Sequence, residues 1–337
     1  MNKLPTISIL IPTLNAARVL DGCLKSIEKQ VYPKSKIELI VADGGSTDDT
    51  LKIARVFRAR IVRNLLKTGE AGKAVALTKA RGELIALIDS DNLLPSKDWL
   101  KKMVVPFKDR TILGSEPWRF TYRREDNFIN RYCALLGVND PYCYFLGVYD
   151  KISILSCKWT GLKIEEKDRG TFLKIKFERG ILPTVGANGT FWRTSVLKKI
   201  VGNNQYLFDT DVPYKLAEKR SFYFAKVKVG IIHLYCWTIG DFCRKQKRRI
   251  RDFYFLEKEN ERDETYQSQI GGQLSFSLKT LTFIPLLLQV ARGFLSKPDR
   301  AWFFHPLACW LTLWIYATET IFVKFRPAKM ERKGWRQ

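Results

Sequence analysis

The chain has 337 residues, 46% of them hydrophobic, enough for a real core in one large domain or one domain with appendages. Its formal net charge of +24 implies an anionic partner: nucleic acid, an anionic membrane surface or phosphorylated substrates. Seven scattered cysteines, with no C-x-x-C pair, argue against a disulfide framework and predict reduced thiols. The apolar stretch in MNKLPTISILIPTLN is too short for a secretory signal, so the catalytic part is expected to face the cytoplasm.

Thr6 to Ile11 reads as a compact apolar strand closed by Pro12. Ala16 to Gln30 has helical spacing, with Leu20, Leu24 and Ile27 on one stripe. Ile37 to Ala42 is a second strand and ends at Asp43-Gly44-Gly45-Ser46-Thr47-Asp48. The next helix, Thr50 to Arg58, has Ser46, Thr47 or Asp48 available as its cap. Ala59 to Arg63 is a third strand, Gly72 to Arg81 a helix, and Leu84 to Ile88 a fourth strand. This alternation predicts an α/β fold, a mostly parallel sheet with helices on both faces. Residues 1–100 then form a nucleotide-binding half.

The Leu84–Ile88 run has no polar alternation, as in a strand buried on both faces. It stops at Asp89-Ser90-Asp91. Burying bare charge is prohibitive, so both acids belong at the carboxyl end of the strand, where open α/β sheets bind ligands. Two acids there suit a divalent cation and a phosphate-bearing substrate. Alone, the pair reads equally well as surface acids capping the segment Asn92–Leu100.

Beyond Asp91 the pattern loosens. Trp99 to Pro106 reads as a helix, and residues 111–180 as an irregular acceptor-side segment of short strands, aromatics and charge. Gly186-Ala187-Asn188-Gly189-Thr190 is a turn before a strand or helix start. Asp209-Thr210-Asp211 opens a helix, Val212 to Lys219, and Ser221 to Ile232 is strand-like and ends at His233. Residues 101–240 are accordingly read as a second half, on the acceptor side.

Residues 241–337 change character. Arg244, Lys245, Lys247, Arg248, Arg249 and Arg251 lie within eight residues. Residues 274–295 are apolar but interrupted by Lys279, Pro285, Gln289 and Arg292. Residues 301–323 are apolar and Trp-rich, with His305 and Pro306 near the start and Glu319 near the end. A spanning helix needs roughly 20 apolar residues, a length the second stretch meets and the first barely approaches. Trp302, Trp310 and Trp314 with the basic tail suit an interface, so the C-terminal helices are read as either transmembrane or interfacial.

Ile7-Ser8-Ile9-Leu10-Ile11-Pro12-Thr13-Leu14-Asn15, then Asp43-Gly44-Gly45-Ser46-Thr47-Asp48, Gly72-Lys73-Ala74, Ala80-Arg81-Gly82-Glu83-Leu84-Ile85 and Asp89-Ser90-Asp91 follow in order. Together they resemble the family 2 inverting glycosyltransferases with the GT-A fold. The resemblance continues through Gly186–Gly189, Asp209–Asp211 and His233. It implies that Pro12, Thr13, Leu14 and Asn15 form the nucleotide-contacting turn and that Asp43, with Gly44, meets the nucleobase edge. A carboxylate accepts an imide N–H, which favours uracil or a similar base. Lys73 is similar to the basic residue facing the donor phosphates; the alternative is a solvated helix charge. Asp91 matches the acid that binds Mn2+ or Mg2+, with Asp89 and Ser90 beside it toward the ribose or sugar; His233 is either a further metal ligand, which Mn2+ accepts, or a structural histidine. Asp209 matches the second acid of the family's E-D pair, but Phe208 stands where the Glu would be. The base is therefore Asp209 or Asp211. Gln246-Lys247-Arg248-Arg249 is similar to the Q-x-x-R-W motif of processive members, with Ile250 in place of the Trp. Asn188, Gln246 and Arg249 are assigned to acceptor or phosphate contacts.

The resemblance implies a metal-dependent inverting glycosyltransferase. Its donor is a nucleotide-sugar, UDP-linked, and its acceptor a lipid-linked or cell-envelope glycan, with the enzyme held on an anionic membrane surface at the cytoplasmic face. A polyprenyl-phosphate glycosyltransferase is the nearest alternative. Nucleic acid is not an expected partner, because the charge follows no nucleic-acid-binding motif and the aromatics cluster apart from the basic residues. A nucleotidyltransferase would need a Gly-rich loop after the first strand, and Pro12-Thr13-Leu14-Asn15 is not one.

Overall fold

The computed structural model describes residues 4–180, 182–258 and 270–325. The basic tail beyond residue 325 lies outside these. Two compact units form among the described residues: 4–118 with Lys163–His233, and Arg119–Leu162 with residues 234–258 and 270–325.

The first unit opens as the alternation predicts: β1 Ile7–Thr13, α1 Ala17–Glu28, β2 Ile37–Asp43, α2 Thr50–Val56, β3 Arg60–Arg63, α3 Gly69–Lys79 and β4 Leu84–Ile88. Every residue of β1 and β4 is buried, as unbroken apolar runs require in a parallel sheet. α1 buries Val19, Leu20, Cys23, Leu24 and Ile27, the stripe read from spacing. α3 begins three residues earlier than its apolar pattern, because Thr68 caps it by accepting the Ala71 N–H. The next elements are β5 Asn92–Leu93, α4 Trp99–Val104 and β6 Ile112–Phe120.

Two helices of the second unit follow, α5 Phe128–Leu136 and α6 Pro141–Phe145. The chain then returns to the first unit with β7 Glu165–Asp168, β8 Phe172–Phe177, β9 Asn188–Arg193, α7 Thr194–Val201, α8 Asp211–Lys219 and β10 Phe222–His233. The strand order is β3-β2-β1-β4-β9-β6-β10-β8-β7, with β5 on β10. β1 pairs parallel with β2 and β4, and β2 with β3. β9 pairs antiparallel with β4 and β6, and β8 antiparallel with β10 and β7. The α/β class is as expected, and the sheet is mixed rather than parallel throughout. Parallel pairing needs crossover helices, and the β-α alternation stops at Ile88.

The second unit is helical: α5, α6, α9 Ile239–Lys258, α10 Ile270–Thr282, α11 Ile284–Ser296 and α12 Phe304–Phe325. Tyr132, Phe242, Trp302 and Phe304 anchor its core. The segment read as irregular thus holds two capped helices. Asn127 accepts the Ile129 and Asn130 N–H groups, and Gly137 at φ 78° ends α5. All seven cysteines are free thiols, as expected.

Candidate active site

The carboxyl ends of β1, β2 and β4 form one rim, because the register sets Thr13 beside Asp43 and Leu10 beside Leu87. β1 lies between β2 and β4, so two strand spacings, about 10 Å, separate the Asp43 loop from the Asp89 loop.

At the β2 end, Asp43 organises its own turn. Oδ1 accepts the Thr13 hydroxyl at 3.0 Å and the Ser46 hydroxyl at 2.5 Å. Oδ2 accepts the Gly45 and Ser46 N–H groups at 2.9 and 2.8 Å. Four bonds match a carboxylate's acceptor capacity. A further donor reaching Asp43 would have to displace one of them, most readily the rotatable Ser46 hydroxyl. Asn15, at φ 50°, donates its N–H to Ser46 Oγ and accepts the Thr47 N–H, which ties the β1 turn to the β2 turn. Gly44 donates to the Thr13 carbonyl at 2.9 Å. Asp48 serves the two helices beside these turns by accepting the Ala17 and Thr50 N–H groups. Pro12 is pressed by α3, where a Cβ on Gly72 would stand 2.9 Å from Pro12 Cβ. Only glycine permits that approach, and it brings the next residue, Lys73, to the rim.

At the β4 end, Asp89, Ser90 and Asp91 leave the strand together. Asn92 holds their turn: its Oδ1 accepts the Asp89 N–H at 3.2 Å, and its Nδ2 donates to Asn188 Oδ1 at 3.0 Å. Antiparallel pairing of β5 with β10 sets Asn92 opposite His233. His233 Nε2 consequently stands 3.4 Å from Asp91 Oδ1, with the two side chains 9% and 6% exposed. Two donors at that separation can share one cation. A divalent ion that draws its other ligands from phosphate and water needs no third protein donor. Among the described residues no three His, Cys, Asp or Glu side chains gather as a metal-holding group.

The second acid pair is split by its surroundings. Leu207 donates its N–H to the Glu70 carbonyl, which hooks the segment before Asp209 onto the start of α3. Asp209 Oδ2 then forms a buried ion pair with Lys73 Nζ. Asp209 Oδ1 is buried and accepts no hydrogen bond among the described residues. Burial pushes the Asp209 carboxyl up to about 6, against the pull of Lys73 and with the repulsion of Asp89 and Glu70. Lys73 remains firmly protonated: burial opposes its charge, but Asp209, Asp89 and Glu70 outweigh it. Asp89 is raised as well, by burial and by Asp91 and Glu70, against Lys73 and His233. Asp211 opens α8, is 2% exposed, and its Oδ1 accepts the Thr210 hydroxyl at 3.2 Å.

The structure therefore gathers Lys73, Asp89 and Asp209 electrostatically, and Asp91 with His233 and Asn188 through Asn92. Gln246 and Arg249 belong to the second unit and are engaged there. Gln246 is fully buried, donates to the Asn139 carbonyl and accepts from Arg249; Arg249 pairs with Asp140 at 3.0 Å. Sequence reasoning missed Glu70 and Asn92. Both had a signal: Glu70 sits three residues before Lys73 on one helix face, and Asn92 directly follows the acid pair.

Residues 8–162 match the profile described as Glycosyl transferase family 2. Glycosyltransferase AglE of Haloferax volcanii is 33% identical over 109 residues, 31% of this chain and 36% of that protein. Poly(ribitol-phosphate) beta-N-acetylglucosaminyltransferase TarS of Staphylococcus aureus is 35% identical over 100 residues, 28% of this chain and 17% of that protein. The match thus spans well under half the length of either relative. Among solved structures, the mannosyltransferase PcManGT of Pyrobaculum calidifontis, in complex with GDP-Man and Mn2+, superposes with a TM-score of 0.55 at 17% identity. The superposition covers 94% of this chain and 88% of that one, a likeness of fold. With the order of its motifs and the acids at the strand ends, residues 8–162 of the chain are thus similar to glycosyl transferase family 2.

Proposed function

We propose that the chain is a glycosyltransferase moving a sugar from a nucleoside-diphosphate sugar to a hydroxyl of a lipid-linked or cell-envelope glycan, in one inverting displacement. The observation that carries this is Asp209: a buried carboxylate beside Lys73, with one oxygen that accepts nothing from the described residues. An acceptor hydroxyl loses its proton as it attacks the anomeric carbon, and a base poised near neutrality serves that step best. Asp209 takes the proton on Oδ1, while Lys73 fixes the carboxylate through Oδ2. Asp211 stands in the first turn of α8, where its charge complements the helix N-terminus, and Asp209 is taken as the base because Lys73 holds it.

On the donor side, Asp43 meets the base edge, taken as uracil, and Thr13 to Asn15 hold the nucleotide against the β1 rim. Asp91 and His233, with Asp89 beside them, would hold a divalent cation, and Mn2+ or Mg2+ there would supply charge neutralisation for the leaving diphosphate. Asn92 keeps Asp89 and Asp91 in place, and Asn188 steadies Asn92. Each contact accelerates transfer only insofar as it strengthens in the transition state.

Asp209→Asn tests the assignment. Transfer should fall by about 10²–10⁴, while donor binding, read by thermal shift with UDP- and GDP-sugars in Mn2+, stays intact. Undiminished transfer at saturating donor overturns it.

A further inference from the structure

Helices α10 to α12 present an apolar surface that no other described residue covers. On α12 the exposed large side chains are Phe303 just before it, then Leu307, Trp310, Trp314, Ile321 and Phe325, with Phe322 to one side of that row. Their spacing draws one stripe along the helix. α11 continues the surface with Leu288, 66% exposed, and Leu295, 83% exposed. An apolar groove of about 760 Å³ lies between α11 and the start of α12, lined by Leu287, Phe294, Leu307 and Trp310 among others. α10 and α11 meet at a bend of 89°.

By length and composition α12 could cross a bilayer. Its contacts say otherwise. The face opposite the stripe is anchored to its own unit at both ends. Phe304 packs edge-on against Phe242 of α9, ring centroids 5.4 Å apart. Glu319 pairs with Lys247, at 2.8 Å, and with Arg251 of α9. Phe242 and Arg251 are separated by about 14 Å of helix rise, half of the roughly 30 Å of hydrocarbon a span must cross. The α9 side chains between them include Arg244 and Arg248, which do not enter a bilayer core. His305, the polar residue near the start of α12, is fully buried and bonded to Tyr132 and Gln289 inside the protein.

The charge beside the apolar surface has one sign. Residues 265–298 contain no Asp or Glu, and their charges are Lys279, Arg292 and Lys297. Asp299 is engaged by Tyr122 and Arg131, and Glu319 by α9. Cations framing exposed Leu, Phe and Trp match an anionic lipid surface.

We propose that α10–α12 form a monotopic docking surface lying in the plane of an anionic phospholipid leaflet, with an acyl chain in the α11–α12 groove, and that α12 does not cross the bilayer. The proposal is independent of the glycosyl-transfer reading. The full chain is sedimented with phosphatidylcholine vesicles, with and without phosphatidylglycerol. Binding should be at least ~10-fold tighter with phosphatidylglycerol, and Leu288→Glu or Trp314→Glu should weaken it by a similar factor. Both positions are about two-thirds exposed, so circular dichroism melting should not change. Spin labels at positions 307, 314 and 321, in a C157S/C243S background, should report equal shallow depths. A label at 314 deeper than both others makes α12 a span and overturns the proposal. Equal affinity for both vesicle types removes the anionic partner. Failure to bind vesicles, with a dimer in sedimentation that Leu288→Glu dissociates, assigns the surface to a second copy instead.

Discussion

Asp209 and Lys73 set the expected pH dependence. The Asp209 carboxyl, pushed to about 6 mainly by burial, must be ionised to accept a proton. Activity should therefore rise with pH through about 6, tenfold per unit below it, and level off above. Lys73 lowers this value, so Lys73→Gln should move the acid limb of kcat/KM to higher pH, whereas Asp209→Asn should abolish the limb. A limb that stays put in Lys73→Gln removes the pair from the mechanism. The folded value lies above the ordinary 3.8, so the folded state holds the proton longer. The Asp209 contribution to stability is accordingly present at low pH and lost as pH rises from about 4 to about 6. At the metal-side acid, Asp91→Ala should abolish the gain in nucleotide affinity produced by Mn2+. Calorimetry with and without the ion measures it, and an unchanged gain would clear Asp91 of that role.

At the scale of elements, close approach and buried charge decide the outcome. Gly72→Ala gains about 1 kcal/mol of helix propensity but forces a methyl onto Pro12, an overpacking worth about 1–3 kcal/mol. A net loss of stability in urea, with weaker donor binding, is expected; a gain would mean that α3 moves freely over β1. Glu116 of β6 and Lys226 of β10 form a 2.6 Å ion pair with neither side chain exposed. Glu116→Ala should cost about 3–5 kcal/mol, and the double change E116L/K226M markedly less. Equal losses in the two urea midpoints would contradict this.

The parallel half was legible because its strands are unbroken apolar runs ending at turn residues, as with Leu84–Ile88 before Asp89. The antiparallel half was less so, since strands such as β6 gain their burial from distant neighbours rather than from local pattern. α5 escaped although Asn127 and Gly137 mark its ends. Aromatic and charged residues around it masked the period. Asp91, His233 and Asp209 each stood out in the sequence as candidates, but their neighbours did not: the Lys73–Asp209 pair had no signal there. No local signal links two residues that meet only because Leu207 hooks onto Glu70.

For the whole molecule, +24 is a self-repelling charge. Raising ionic strength from about 0.01 to 0.15 M shortens the Debye length from about 30 to 8 Å, so the melting temperature should rise with salt over that range. A fall would mean that local ion pairs such as Arg249–Asp140 outweigh the long-range repulsion. The same excess explains why composition alone left several anionic partners open. Which faces carry the charge depends on packing, which sets Arg249 against Asp140 while leaving Lys279 and Arg292 exposed.

The register of β5 on β10 and the hook of Leu207 on α3 also have a meaning in time. Lys73 and Asp209 are 136 positions apart. A ribosome adding about 5–20 residues per second makes the ammonium wait on the order of ten seconds for its carboxylate. Asp91 waits slightly longer for His233. A nascent chain halted near residue 200 would present the turns after β1, β2 and β4 with neither Asp209 nor His233.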